Sequence, residues 1–225
     1  MFTESLKTSG ERVYLQEIEG FLKAEVYITR QDNGQQLVFK DYSRFRHNPV
    51  AALIARFLVQ REYNALSRLQ GWVHAPEVFE SNDPLILLQE YIPGKAMDSK
   101  KAESPEVVKN IRTALRQLHQ KDMAHNDFRA SNIIVKPDNT AVIIDFTSAT
   151  HLPKFLGKIS RWLMSQDLRH VLKYQDRIGQ DLTAREKKML EKPKALQRLQ
   201  DVWKKKILCV LKGKKRGMCE KELFN

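Results

Sequence analysis

His125-Asn126-Asp127-Phe128-Arg129-Ala130-Ser131-Asn132 decides how this chain reads, together with Asp145-Phe146-Thr147, which begins thirteen residues after Asn132. The first stretch has the spacing H-x-D-x-x-x-x-N. It runs into an apolar segment (Ile133-Ile134-Val135), a turn (Lys136-Pro137-Asp138-Asn139) and a second apolar segment, Ala141 to Ile144, that ends on an aspartate. Two short β-branched runs joined by Pro-Asp-Asn predict a hairpin. Such a hairpin would bring Asp127, Asn132 and Asp145 close together. Three converging oxygen-bearing side chains suit phosphoryl transfer. One carboxylate orients an attacking hydroxyl, while an amide and a second carboxylate hold Mg²⁺ on the phosphates of ATP.

Upstream of that stretch, Pro105 to Lys121 has helical periodicity, with Val108, Ile111, Leu115 and Leu118 on its apolar face. Ser104-Pro105-Glu106 supplies an N-cap with proline at the first helical position. His119 reads as a surface or core histidine of this helix, without a role in catalysis. Earlier still, Pro76–Phe79 and Leu85–Glu90 read as strands around an Asn82-Asp83-Pro84 turn. Residues 50–70 read as a helix with Leu58, Ala65, Leu66 and Leu69 on one stripe and Gly71 as its stop. Residues 10–46 are β-rich, with strands at Glu25–Thr29 and Leu37–Lys40 around an Asp32-Asn33-Gly34 turn. Downstream, helices are expected at 155–174, with Trp162, Leu163, Leu168, Val171 and Leu172 apolar, and at 182–190 and 193–211.

Composition narrows the class. The chain has 225 residues, 42% hydrophobic and 29% charged, which suits one sizeable domain or two small lobes sharing a cleft. Cys209 and Cys219 form neither a metal-like spacing nor a disulfide framework, and a reducing cytosol is the simplest setting. No signal-peptide core and no run of 18 apolar residues is present, so the expectation is a cytoplasmic protein that does not span a membrane. Net charge is +12, and residues 194–216 carry nine Lys/Arg against Asp201 alone. A basic balance of this kind suits nucleic acid, anionic lipid or an anionic acceptor. Nucleic acid is not expected, because no aromatic-basic patch on a sheet is evident.

Taken together, residues from about Gly20 to Tyr174 resemble the protein-kinase-like superfamily. The resemblance implies an α+β, bilobal fold. Residues 1–93 would form a β-rich N-lobe, and 94–225 a compact helical C-lobe. It further implies that Lys40, in V-F-K, contacts the ATP phosphates and that Glu62 pairs with it. Gly20 would open the phosphate-covering loop, here with one glycine where the superfamily often has three. Backbone groups of Glu90 and Ile92 would receive the adenine at the hinge. Asp127 becomes the catalytic base, Arg129 stabilises charge on the transferring phosphoryl group, and Asn132 and Asp145 are the Mg²⁺ ligands. His125 supports the loop, and Asp167 resembles the helix aspartate that anchors the loop's backbone.

Departures from protein kinases bear on the acceptor. Asn126 stands where regulated kinases carry an arginine that pairs with a phosphorylated loop, and Thr147 where the metal loop carries glycine. A phosphorylation switch and a flipping metal loop are therefore not expected. Asp167 follows Asp145 by only 22 residues, which leaves little chain for a peptide platform. The compact C-lobe is similar to that of bacterial lipopolysaccharide-core (Kdo or heptose) kinases and of RIO-type atypical kinases. The expected acceptor is a sugar hydroxyl of lipopolysaccharide core, with a Ser/Thr protein acceptor as the alternative. A pseudokinase or anionic-ligand-binding module is the third reading, and the intact set Lys40, Asp127, Asn132 and Asp145 argues against it. Residues 202–216 interleave apolar and basic side chains, as peripheral helices on an anionic inner membrane face do.

Overall fold

Gln36-Leu37-Val38-Phe39-Lys40-Asp41 is the strand on which the first half of the chain is built. The structure, a computed structural model, describes residues 13–15, 22–31, 34–98, 103–152 and 157–191. Its first elements are β1 (Val13–Tyr14), β2 (Glu25–Arg30), β3 (Gln36–Asp41), α1 (Pro49–Ser67), β4 (Val78–Phe79) and β5 (Ile86–Glu90). The strands form one antiparallel sheet in the order β1-β2-β3-β5-β4. Register sets Val38 opposite Gln89 and Lys40 opposite Leu87. Because side chains alternate along a strand, Val38, Lys40 and Gln89 share one face.

Helix α1 begins at Pro49 because Asn48 caps it, its Oδ1 accepting from the Ala51 N–H at 3.0 Å. It ends at Ser67, short of the expected residue 70, and Gly71 (φ +76°) closes the turn that follows. The chain then crosses at Tyr91–Gly94 into β6 (Lys95–Ala96). This strand pairs with β8 (Ile133–Val135), which pairs with β9 (Ala141–Ile143), so the predicted hairpin forms. A Cβ on Gly94 would lie 2.6 Å from both Ile134 Cγ2 and the Val135 carbonyl oxygen. The Val135 oxygen is main chain and cannot swing aside. Gly94→Ala is therefore expected to cost about 1–3 kcal/mol, read as a lower urea midpoint.

The second half is helical. Helix α2 (Pro105–Gln120) is capped by Ser104 Oγ, which accepts from the Val107 N–H at 3.2 Å. Between α2 and α3 (Gly157–Arg177), β7 (Met123–Ala124) pairs with β10 (Thr150–His151). Helix α4 (Ala184–Leu190) opens on a capping box between Thr183 and Glu186. One apolar core runs through both halves and includes Leu66, Leu85, Leu115, Leu118, Phe128 and Phe146. Within α3, Val171 and Leu172 are fully buried, but Trp162, another of the helix's apolar residues, is 49% exposed. Periodicity marks an apolar face along all of α3, while packing covers only its later turns.

The architecture is α+β and bilobal, with a sheet and one helix on one side of a cleft and a mainly helical part on the other. Gly20, the first two residues of the 32–34 turn, the helix expected at 193–211 and the basic segment 202–216 lie outside the described residues. Among those described, no helix is long and apolar enough to cross a membrane.

Candidate active site

Lys40 projects from β3 toward α1, where its Nζ lies 2.6 Å from Glu62 Oε1, and it stands 3.8 Å from Asp145 Oδ1. Glu62 is buried and joins three elements. Besides Lys40, it accepts the Phe146 N–H at 3.2 Å and the Thr147 hydroxyl at 2.9 Å. That hydroxyl is equally 2.9 Å from Asp145 Oδ1. With a single proton it donates to one carboxylate at a time, so it ties the two together. Burial pulls the Lys40 ammonium downward, but the Glu62 and Asp145 carboxylates outweigh it and hold the pKa above the ordinary lysine value. Burial pushes Asp145 upward, yet Lys40 and the Thr147 hydrogen bond leave it below the usual carboxylate range. Both groups are charged at neutral pH.

The H-x-D-x-x-x-x-N stretch is held from inside and from beneath. Asn132 is buried, and its Nδ2 donates to the Asp127 carbonyl at 3.0 Å and to Asp127 Oδ2 at 3.1 Å. Arg129 Nη2 reaches the same carboxylate at 3.2 Å. Since Nδ2 faces Asp127, Oδ1 is the amide atom that can face a cation. Beneath the loop, the buried Asp167 carboxylate accepts the His125 N–H at 2.8 Å and the Asn126 N–H at 2.9 Å. This is the anchoring arrangement expected of Asp167. His119 corrects its sequence reading, because its Nε2 lies 3.2 Å from Asp167 Oδ2 and helps to orient that carboxylate.

His125 supports the loop by packing and by one hydrogen bond. It is buried, its ring meets Phe128 and Phe146 edge-on, and Nε2 lies 3.1 Å from the Ile144 carbonyl. A carbonyl only accepts, so Nε2 carries the proton and donates. Burial outweighs the nearby carboxylates and lowers its pKa. A histidine lowered in the folded state is protonated more readily when unfolded, so its contribution fades as pH falls below about 6.5. Stability measured by urea unfolding is expected to drop between pH 7 and 5. His125→Gln should flatten that slope, and an unchanged slope would exclude His125 as its source.

Residues 148–150 are fixed by Asn126 and by Arg61, the second of which the sequence did not single out. Asn126, at φ +63°, donates from Nδ2 to the Ser148 carbonyl at 2.9 Å and to the Thr150 hydroxyl at 3.0 Å. Arg61 Nη2 donates to the Ser148 and Ala149 carbonyls at 3.1 and 3.2 Å. Nothing in the sequence signals Arg61, whose partners lie 87 to 89 positions away and are two main-chain oxygens and the Thr150 hydroxyl.

These groups border a cleft of about 550 Å³ between the lobes. Its walls include Lys40, Glu90, Ile92, Arg129, Asn132 and Asp145, with Lys23 and Val26 above. Glu62 lies behind Lys40, and Asp127 is joined to the cleft through Asn132 and Arg129. Glu90 gives its N–H to the Glu77 carbonyl at 2.8 Å, which leaves its own carbonyl as the main-chain group able to meet a ligand.

A two-lobed fold, a buried lysine–glutamate pair and an H-x-D-x-x-x-x-N loop facing a second aspartate together define the protein-kinase-like class. Within that class, the sequence model of the RIO domain matches residues 13–189, and the chain belongs to the RIO domain family. Among solved structures, the chain is similar to the Rio2 kinase of Chaetomium thermophilum in its ADP/Mg²⁺-phosphoaspartate complex, at 16% identity and a TM-score of 0.57. The likeness covers 80% of this chain and 59% of that one, so this chain spans about three-fifths of the Rio2 chain's length. At that identity the likeness is one of fold.

Proposed function

We propose that this chain is an ATP-dependent kinase that transfers the γ-phosphate to a hydroxyl acceptor. The observation that carries this is the linkage of Lys40 and Glu62 in the first lobe to Asp145 and Thr147 in the second, around a cleft that is also lined by Asn132, itself bonded to Asp127. In this reading residues 1–93 form the lobe that grips the phosphates and 94–225 the lobe that carries the acceptor-side groups. Lys40, kept charged and aimed by Glu62, neutralises phosphate oxygens. Glu90 and Ile92 receive the adenine through main-chain groups, and Gly20 belongs to the loop above the phosphates. Asp127 orients the acceptor hydroxyl and takes its proton, while Arg129 stabilises charge on the phosphoryl group. Asn132 Oδ1 and the Asp145 carboxylate are hard oxygen donors that would hold Mg²⁺, with phosphates and water completing the shell. When bound, the ion neutralises charge that develops between the β- and γ-phosphates.

Our first reading of the acceptor is a sugar hydroxyl of lipopolysaccharide core. The 22 residues from Asp145 to Asp167 favour it, because β10 and the contacts of Arg61 and Asn126 occupy much of the span where a peptide would lie. The basic 194–216 segment would then meet an anionic glycan or the inner membrane face from the cytoplasmic side. The second reading, a protein acceptor including the chain's own side chains, is favoured by the RIO family and by the phosphoaspartate in the Rio2 complex.

The test offers labelled Mg-ATP with core lipopolysaccharide and a general protein acceptor in parallel. Label on the glycan supports the sugar reading. Label on protein replaces it with the second reading, and hydroxylamine-labile label on the chain itself identifies an acyl phosphate. No label and no ATP hydrolysis would leave a pseudokinase.

A further inference from the structure

Gln89 is 5% exposed, and its side-chain Oε1 has no hydrogen-bond partner. Leaving a buried amide oxygen unpaired is costly, so such an atom calls for an explanation. Four buried side-chain polar atoms among the described residues are orphaned in this way, in Thr29, Gln31, Gln89 and His125, and only Gln89 borders the cleft. It stands in the interior of the sheet, between Val38 on β3 and Val78 on β4, on the face that carries Lys40. The next residue is Glu90, whose carbonyl remains available, and Ile92 follows two positions later.

We infer that Gln89 is a specificity-determining residue for the nucleobase: its side-chain oxygen accepts a hydrogen bond from the exocyclic amino group of a 6-aminopurine. This rests on the proposed nucleotide site. A purine lying against the main chain of Glu90 and Ile92 gives one amino N–H to the Glu90 carbonyl. Its second amino N–H then faces the strand interior, where Gln89 supplies the only orphaned acceptor in the cleft wall among the described residues. A 6-oxopurine would meet the Glu90 carbonyl acceptor to acceptor, and Gln89 could serve its oxygen only by turning its amide over. Gln89 thus adds to the main-chain contact an acceptor for the second amino proton of adenine.

The experiment measures binding of Mg-ATP, Mg-GTP and purine riboside triphosphate, which lacks the 6-amino group, to the full chain and to Gln89→Met and Gln89→Leu. In the unmodified chain, removing the amino group weakens binding through both contacts. In the variants the main-chain contact alone remains, so the penalty should shrink about five- to tenfold. Both variants should unfold at an equal or higher urea concentration, because an orphaned acceptor has been replaced by an apolar group. An amino-group penalty that is the same in all three proteins, with ATP bound equally well, would overturn the role of Gln89 while leaving the nucleotide site standing. So would GTP binding as tightly as ATP to the unmodified chain. Failure of the unmodified chain to bind any nucleotide would overturn the nucleotide site itself, and this inference with it.

Discussion

Asp127→Asn is expected to leave the chain folded and able to bind nucleotide while cutting phosphoryl transfer by about two to four orders of magnitude. The geometry explains why the two effects separate. Asp127 accepts from Asn132 Nδ2 and faces Arg129 Nη2. An amide oxygen in the same place can still accept from both, so the loop keeps its shape. The amide lacks the charge to polarise a hydroxyl and the basicity to receive its proton. Single-turnover transfer set beside ADP affinity would measure both effects. A variant that transfers at the unmodified rate would remove Asp127 from the reaction, and one that loses ADP binding in proportion would show that the loop had collapsed.

The second large effect is on stability. Glu62→Ala removes the partner of Lys40 and the acceptor of the Phe146 N–H and Thr147 hydroxyl in one step. What remains is a lysine side chain only 12% exposed, with the Asp145 carboxylate 3.8 Å away as its counter-charge. Breaking one side of a buried pair costs about 3–5 kcal/mol, because the surviving charge stays desolvated. Urea unfolding should therefore shift far below the unmodified midpoint, and nucleotide affinity should fall with it. Glu62→Gln keeps one oxygen to accept the Phe146 N–H, its Nε2 can donate to the Thr147 hydroxyl instead, and it is expected to lose less. If both variants unfolded at the unmodified midpoint, neither the Lys40–Glu62 pair nor the bonds from Glu62 to Phe146 and Thr147 would contribute to stability.

Much of the site was legible because its signals are local. The H-x-D-x-x-x-x-N spacing, the two apolar runs and the Pro-Asp-Asn turn lie within 21 residues, and the hairpin they predict forms with Asn132 and Asp145 at its ends. Ser104 and Pro105 fixed a helix start in the same way. Apolar periodicity places the first long helix from residue 50, one residue late, because the Asn48 cap and Pro49 lie ahead of the apolar run. Contacts made across the fold were less readable. Arg61 acts mainly on main-chain oxygens, which leave no mark in a sequence. His119 looks like any other helix histidine until α3 brings Asp167 beside it. Gln89 reads as an ordinary strand residue because only packing reveals that its oxygen lacks a partner. Trp162 failed in the opposite direction, since an apolar side chain on an apolar stripe is no guarantee of cover.

The bonds from Arg61 and Glu62 to residues 146–150 span 84 to 89 positions of chain. Closing so long a loop has an entropic cost that must be met before any of these contacts forms, and topologies rich in such contacts fold slowly. The sheet from β2 to β5 and helix α1 need no such closure. During synthesis they can form while the partners of Glu62 have yet to emerge, and the Lys40–Glu62 pair then stands without its second lobe. Competence to bind nucleotide should accordingly trail the appearance of secondary structure in refolding, so that the working cleft is a product of the last stage of folding.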